Sequence, residues 1–432
     1  MKKTAVFLLI AALYGYSYVR GEEGAGSVAS SSRPLTLPDC YALALKQSET
    51  IAINAELIKE AEAHFLQAFG LLMPHVSLVD TEHWHDKSGV SATSRYHTTE
   101  RRFAFSQTLF SGFREFAGIS GSNFERSQRS NEKRRAEQLL FTDVADAFYL
   151  LLEEGEDLNT LVTIRDALAS RIEELRQREK LGRSRRSEVV NTEAQYYIVQ
   201  AEIESVKSQE ILARQLLEFL TGRPIGKIVD PENTMPLAGS EDTYVIKADS
   251  RPDVQAARDA WELAKRGVTV ARSAFFPTVT VTPNYYEHRT TSPVKDRWDA
   301  QLQVELPIFE GTETFGALKL ARAQARESEL SYQRVRRLAV QDIRDVYTTF
   351  RTSFLQADAF EKALRAAELN YDLQKKDYQL NLVNNLDVLQ AIQSLEETRR
   401  NHTHILYETK RAYWQLRVAL GDLTLERLYD SL

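Results

Sequence analysis

The chain has 432 residues, of which 43% are hydrophobic, and its mean hydropathy of -0.38 is too polar for a bundle of membrane helices. Its 55 basic and 61 acidic residues are intermixed and sum to a formal charge of -6, so nothing suggests a nucleic-acid surface. The single cysteine, Cys40, excludes an internal disulfide.

In chain order, Lys2 and Lys3 precede the apolar run AVFLLIAALYGYSY, and small and acidic residues follow, so residues 1–21 read as a cleaved export signal. The cleavage point stays open between the small pairs Gly15/Ser17 and Val19/Gly21. Cys40 lies in LPDCY, past this segment and without small residues before it. It is read as a half-buried helix cysteine, not a lipid carrier.

Prolines partition the rest. None occurs between Pro74 and Pro224 or after Pro307, which leaves two long tracts free of the strongest helix breaker. Apolar residues recur there at steps of three and four, as in Leu140, Val144, Ala147 and Leu151, or Ala339, Ile343, Val346 and Phe350, which predicts coiled-coil-like packing. The first tract predicts one helix from Phe113 to Leu181, about 100 Å long at about 1.5 Å per residue.

The tracts match each other. An offset of 199 places LFSG (Leu109 to Gly112) on IFEG (Ile308 to Gly311), Phe116 on Phe315, Asp143 on Asp342, Glu188 on Asp387 and Gly222 on Gly421. Upstream the offset is 203, with Pro74 on Pro277 and Ile51 on Val254, so the first copy carries four extra residues between Pro74 and Leu109. Such a register indicates internal duplication. Residues 35–222 form the first repeat, with a β-hairpin at about 75–109 and a tip turn at about 181–187. Residues 223–249 form a Pro- and Gly-rich linker. Residues 250–432 form the second repeat, with a hairpin at about 278–307 and a tip turn at about 380–386. The order in each copy is helix, Pro, strand, loop, strand, Gly, long helix, turn, helix.

The strands alternate polar and apolar residues. FFPTVTVTPNYYEH sets Val279 and Val281 against Thr278, Thr280 and Thr282; WDAQLQVEL sets Trp298, Leu302 and Val304 against Asp299, Gln301 and Gln303; RRFAFSQTL carries Phe103, Phe105 and Leu109. HVSLVDTEHWH alternates poorly. Trp84, Tyr96, Tyr285, Tyr286 and Trp298 lie where the aromatic girdle of an outer-membrane barrel would be. Four strands cannot close a barrel, so either several copies contribute to one or these are soluble hairpins capping a helical bundle.

His83 and His85 could share a strand face as metal ligands, but no third ligand is evident, and His402 and His404 point apart on a helix. No Gly-rich phosphate loop, G-x-S-x-G, H-E-x-x-H or paired-cysteine motif is present, which argues against an enzyme or a bound cofactor.

With its export signal, the helix opened by LTLPDCYALALKQSETI, a proline before each first strand, LFSG and IFEG after each second strand, and LTGRP and ALGDL closing the repeats, the chain resembles the TolC-like outer membrane efflux proteins. The resemblance implies a mainly α fold with a small β part. In it a homotrimer contributes four strands per protomer to a twelve-stranded barrel in outer-membrane lipid, above a coiled-coil α-helical barrel forming a periplasmic tunnel. Pro74, Gly112, Pro277 and Gly311 would mark the barrel-to-helix transitions. It further implies a periplasmic adaptor protein, an inner-membrane pump of RND, ABC or MFS type, passive export of small molecules, drugs, metal ions or proteins (the last as in type I secretion), and no cofactor. An exported coiled-coil structural or adhesion protein without channel activity is the alternative.

The resemblance also implies a periplasmic gate at the two tips. Tyr378 matches the family tyrosine and Asp387 the first of two aspartates ringing the entrance; the second falls on Gln390, a departure that leaves one ring of three carboxylates. Asp387 and its repeat partner Glu188 could equally cap the helices that follow the turns. Gly182 and Asn381 suit left-handed turn positions, with Leu382 beside the latter. The basic first tip, including Arg183, Arg185 and Arg186, is either a solvated helix end or a contact with the adaptor or with acidic groups that hold the entrance closed.

Overall fold

The computed structural model describes residues 33–84, 97–231, 240–290 and 296–422. The export signal, Tyr96, His85 and the tip of each hairpin lie outside these residues.

The helix expected before Pro74 is two helices, α1 (Leu37–Gln47) and α2 (Glu49–Gly70), broken at Ser48. Ser48 adopts an extended conformation and its Oγ accepts a hydrogen bond from the Ile51 amide at 3.4 Å, the behaviour of an N-cap serine. Strands β1 (His75–Trp84) and β2 (His97–Ser111) follow, then α3 (Arg114–Lys180) and α4 (Arg186–Thr221). After the linker come α5 (Glu241–Val245), a 3-10 turn (Ile246–Ser250), α6 (Pro252–Ser273), β3 (Thr278–Arg289), β4 (Trp298–Glu305), α7 (Glu313–Gln379) and α8 (Asn385–Ala419).

The second half repeats the first. Both α3 and α7 have 67 residues, about 100 Å at about 1.5 Å per residue, and α2 and α6 each have 22. Each long helix is flanked near the sheet by α6 and toward its far end by a returning helix, α4 beside α3 and α8 beside α7; α2 also lies along α3. The two shorter helices of each path thus share the length of one long neighbour.

Three apolar clusters hold this arrangement. One, midway along the helices, joins Phe141, Phe148 and Tyr149 of α3 to Trp414 of α8 and to Leu37 and Cys40 of α1. A second, toward the tips, joins Leu161, Leu168 and Leu175 of α3 to Val199 and Ile203 of α4 and Ile392 of α8. A third packs Tyr244 and Val254 onto Ile343, Phe350 and Leu416. Each side chain fully buried contributes roughly 1.5–3 kcal/mol. Cys40 is fully buried, not half-buried as its sequence context suggests, because α1 lays it against α3; burial pushes its thiol up to about 12.

Buried Arg251 fastens the start of α6. It bonds to Asp253 at 2.8 Å and Asp342 at 2.6 Å, and its Nη1 reaches the carbonyls of Ala339 and Ala419. One cation thereby ties α6 to both α7 and α8.

Candidate functional site: an open sheet and two helical tips

The four strands form one antiparallel sheet in the order β1-β2-β3-β4. His75 pairs with Ser106 in the first hairpin and Thr278 with Glu305 in the second. Adding 203 to the first residue and 199 to the second converts one pair into the other.

Register assembles one apolar face across all four strands. Val76 pairs with Phe105 and Leu78 with Phe103, Phe103 with Tyr285, and Tyr285 with Trp298, Val281 with Leu302 and Val279 with Val304. Most of these side chains are exposed: Leu78 is 60%, Leu302 63% and Trp298 70% accessible. The opposite face carries Thr280, Thr282, Asn284, Gln301, Gln303, Asp299 and Arg102. On it Asp299 accepts hydrogen bonds from Tyr286 at 2.6 Å and Asn284 at 2.9 Å.

Each outer strand has one flank without a partner among the described residues. In water an exposed apolar face beside two open edges invites aggregation. In lipid open edges are excluded, because each unpaired backbone group costs several kcal/mol. The arrangement suits a membrane once further strands complete it.

The predicted girdle residues separate. Tyr285 and Trp298 are direct neighbours on the apolar face. Tyr286 differs from expectation: successive strand residues point to opposite faces, so it lies on the polar face, 7% exposed. Trp84 stacks on His97 with ring centroids 5.2 Å apart, beyond the ion pair between Arg101 and Asp80 at 2.7 Å, and so stands off the level of Trp298. A second aromatic group at the base of the sheet escaped the sequence reading: Phe113, Phe116, Phe276, Phe309 and Phe315 are all more than 40% exposed. The signal for it was present, since aromatics crowd both sides of FFP, LFSG and IFEG.

The transition residues sit at the junctions. Pro74 and Pro277 immediately precede β1 and β3. Gly112 and Gly311 have φ of +66° and +65°, the left-handed region that favours glycine. A β-carbon on Gly112 would come within 2.8 Å of the Ser273 carbonyl, whereas one on Gly311 would meet open space.

At the other end, α3 turns into α4 and α7 into α8. Gly182 (φ +71°) and Asn381 (φ +59°) are the left-handed tip residues. Leu382, Arg183, Arg185 and Arg186 are exposed there. Asp387 caps α8: its Oδ2 accepts from the Asn384 amide at 2.9 Å, while Asn384 Oδ1 accepts from the Leu386 and Asp387 amides. Glu188 instead accepts from the Ser184 hydroxyl at 2.5 Å, because Arg185, at the N-cap of α4, offers no side-chain cap. Gln390 is exposed one turn beyond Asp387.

Tyr378 is buried between two arginines of α3. The guanidinium carbons of Arg171 and Arg178 lie 3.6 and 4.5 Å from its ring centroid. Arg171 also donates to Asn385 at 3.0 Å and Glu174 at 2.7 Å, and Asn385 donates to Thr192 of α4 at 3.1 Å. This network ties the second tip to the first repeat. Sequence reading found Tyr378 but not its partners, which lie some two hundred positions away.

An unclosed, one-face-apolar sheet on paired helical hairpins about 100 Å long defines one protomer of an outer-membrane channel. Residues 246–422 match the outer membrane efflux protein family. The chain is 22% identical over 345 residues to outer membrane protein TolC of Vibrio cholerae, covering 76% of this chain and 77% of that one. It is 22% identical over 404 residues to the cation efflux system protein CusC of an Escherichia coli strain, covering 88% and 84%. Its fold is shared with the outer membrane protein VceC of Vibrio cholerae, at TM-score 0.78 and 23% identity, over 89% of this chain and 96% of that chain. Residues 246–422 thus carry the pattern of the outer membrane efflux protein family, and the chain as a whole is similar in sequence and fold to TolC-like outer membrane proteins.

Proposed function

We propose that three copies of the chain close a twelve-stranded barrel and that their helices enclose a periplasmic tunnel, making a passive exit duct. The observation that carries this reading is the four-stranded sheet, with its continuous apolar face and its two open edges. The apolar face would meet lipid and the threonine- and glutamine-rich face a watery lumen. Energy would come from an inner-membrane pump through a periplasmic adaptor, which the exposed arginines of the first tip, with Leu382 and Asn381 of the second, would contact. Relatives named for cation efflux and for antibiotic efflux support export without fixing the cargo.

The tips would form the gate. Asp387 serves as a helix cap and, repeated three times, also as a ring of charge that attracts cations in a narrow entrance. Purified protein inserted into planar bilayers should give discrete ion-conducting steps with a cation preference; insertion without conductance would reject the duct.

A further inference from the structure

Within one chain the first repeat meets the second where β2 pairs with β3 and α3 packs on α6. In the sheet Gln107 pairs with Val281, Ala104 with Asn284 and Phe103 with Tyr285. Between the helices, the Ser127 hydroxyl and the Asn131 amide of α3 donate to Asp259 of α6 at 2.6 and 3.1 Å. Ala256, one turn before Asp259, is buried.

The duplication gives each residue of this seam a counterpart on a free flank. Adding 199 carries β2 and α3 onto β4 and α7, and subtracting 203 carries β3 and α6 onto β1 and α2. The apolar counterparts are bare in the single chain. Leu306 and Leu78, which stand for Gln107 and Val281, are 55% and 60% exposed, and Ile53, which stands for Ala256, is 60% exposed.

Charge follows the same mapping. Ser127 maps onto Arg326 and Asp259 onto Glu56, so a hydroxyl bonded to a carboxylate becomes a cation facing one; Asn131 maps onto Leu330 and has no polar counterpart. Lys319 and Arg322 precede Arg326 with no acidic residue between Thr314 and Arg326, while Glu60 and Glu62 follow Glu56 on α2. Arg326 and Glu56 also bond within their own helices, to Glu329 and Lys59 at 2.7 Å each, yet their side chains stay 60% and 70% exposed. Flanks of opposite charge, each with bare apolar residues, fit a second copy of this chain arranged head to tail.

We propose that the next copy docks in the register that the two repeats already use inside one chain. Strand β4 then lies on the neighbour's β1 with Leu306 opposite Leu78 and Gln303 opposite Thr81, and Arg326 of α7 faces Glu56 of the neighbour's α2. Faces stay matched, because Leu306 and Leu78 fall on the apolar side and Gln303 and Thr81 on the polar side. One seam is thus repeated around the ring, alternately within and between chains. The proposal rests on the trimer reading and adds to it which residues meet.

Two double variants of the detergent-purified full chain test the register under mild oxidation: Gln303→Cys with Thr81→Cys, and Leu306→Cys with Leu78→Cys. Buried Cys40 is a silent background. The pairs are three steps apart on the ladder, so one is hydrogen-bonded and the other is not, and the two geometries are sampled together. Three strand spacings of about 4.8 Å separate the cysteines within one chain, so any link joins two copies. A covalent ladder ending at three chains is expected. For at least one pair, linking should be about fivefold faster than when the β1 cysteine is moved by two residues, to Val79 or His83 for Gln303 and to Val76 or Asp80 for Leu306. A short thiol-bridging reagent on Glu56→Cys with Arg326→Cys should also join copies, and its failure would overturn the helical half. Equal or faster linking at the shifted sites, in particles that still contain three chains and conduct, would overturn the register and leave the duct standing. Single-chain particles with no link at any site and no conductance would remove both.

Discussion

The ring of Tyr378, at the end of α7, lies 3.6 Å from the guanidinium carbon of Arg171 on α3, so the second repeat's tip is clamped by a cation from the first. Removing that cation leaves Asn385 Oδ1 without its donor, while Glu174 keeps its ion pair with Arg178. Arg171→Ala should lower stability by about 2 kcal/mol, and Arg171→Lys should restore little of it, because a lysine cannot both stack on the ring and present the same fork. Tyr378→Phe keeps the ring and should be nearly neutral. Thermal unfolding together with amide exchange in α8 checks this ordering.

Capping and charge at Asp387 can be separated. Asp387→Ala removes one half of the capping box, leaving the Asn384 half in place, and should cost about 0.5–1 kcal/mol. Asp387→Asn keeps an acceptor oxygen for the Asn384 amide and should cost only a few tenths. Both remove the carboxylate. Matched losses of cation preference in bilayer reversal potentials, with unequal losses of stability, are expected.

The joint at Arg251 predicts an acid limb of stability. Burial alone would raise the Asp253 carboxyl, but the bonds to Arg251 and the charge of nearby Arg135 hold it below the usual range. A depressed carboxyl contributes stability above its unfolded value of about 4, lost as pH falls through its lower folded value. Unfolding midpoints should therefore fall less steeply below about pH 4 in Asp253→Asn than in the parent chain. Arg251→Ala, which leaves Asp253 with only Arg135 at 3.8 Å and removes the cation from half-exposed Asp342, should cost about 1.5–3 kcal/mol.

The two strand-to-helix glycines should not be equivalent. Both need the left-handed region, where alanine costs roughly 1–2 kcal/mol. Only Gly112 also lacks room, with the Ser273 carbonyl and Phe276 Cβ each 2.8 Å from an added carbon. Gly112→Ala should destabilise clearly more than Gly311→Ala, read as the difference in thermal midpoint under identical detergent conditions.

Much of this architecture was legible because it obeys short periods and a long repeat. The two offsets between LFSG and IFEG and between Pro74 and Pro277 are also those that relate the two hairpin registers. What escaped depends on neighbours distant in sequence. Whether Tyr285 or Tyr286 faces outward is set by pairing with Trp298, not by the tyrosines themselves. The break at Ser48 follows from a serine hydroxyl competing for a backbone amide in a stretch that otherwise reads as one helix. Arg171, Asp157 and Arg400 look like ordinary charges on helix faces until α8 is laid against α3 and α4.

Native mass spectrometry of the detergent-solubilised protein asks most directly whether identical neighbours cover the free edges of β1 and β4. Particles containing three chains, in which paired cysteines on outward positions of β1 and β4 cross-link between protomers, are predicted. A single-chain particle, its strand edges exchanging amide protons with water, would contradict the account.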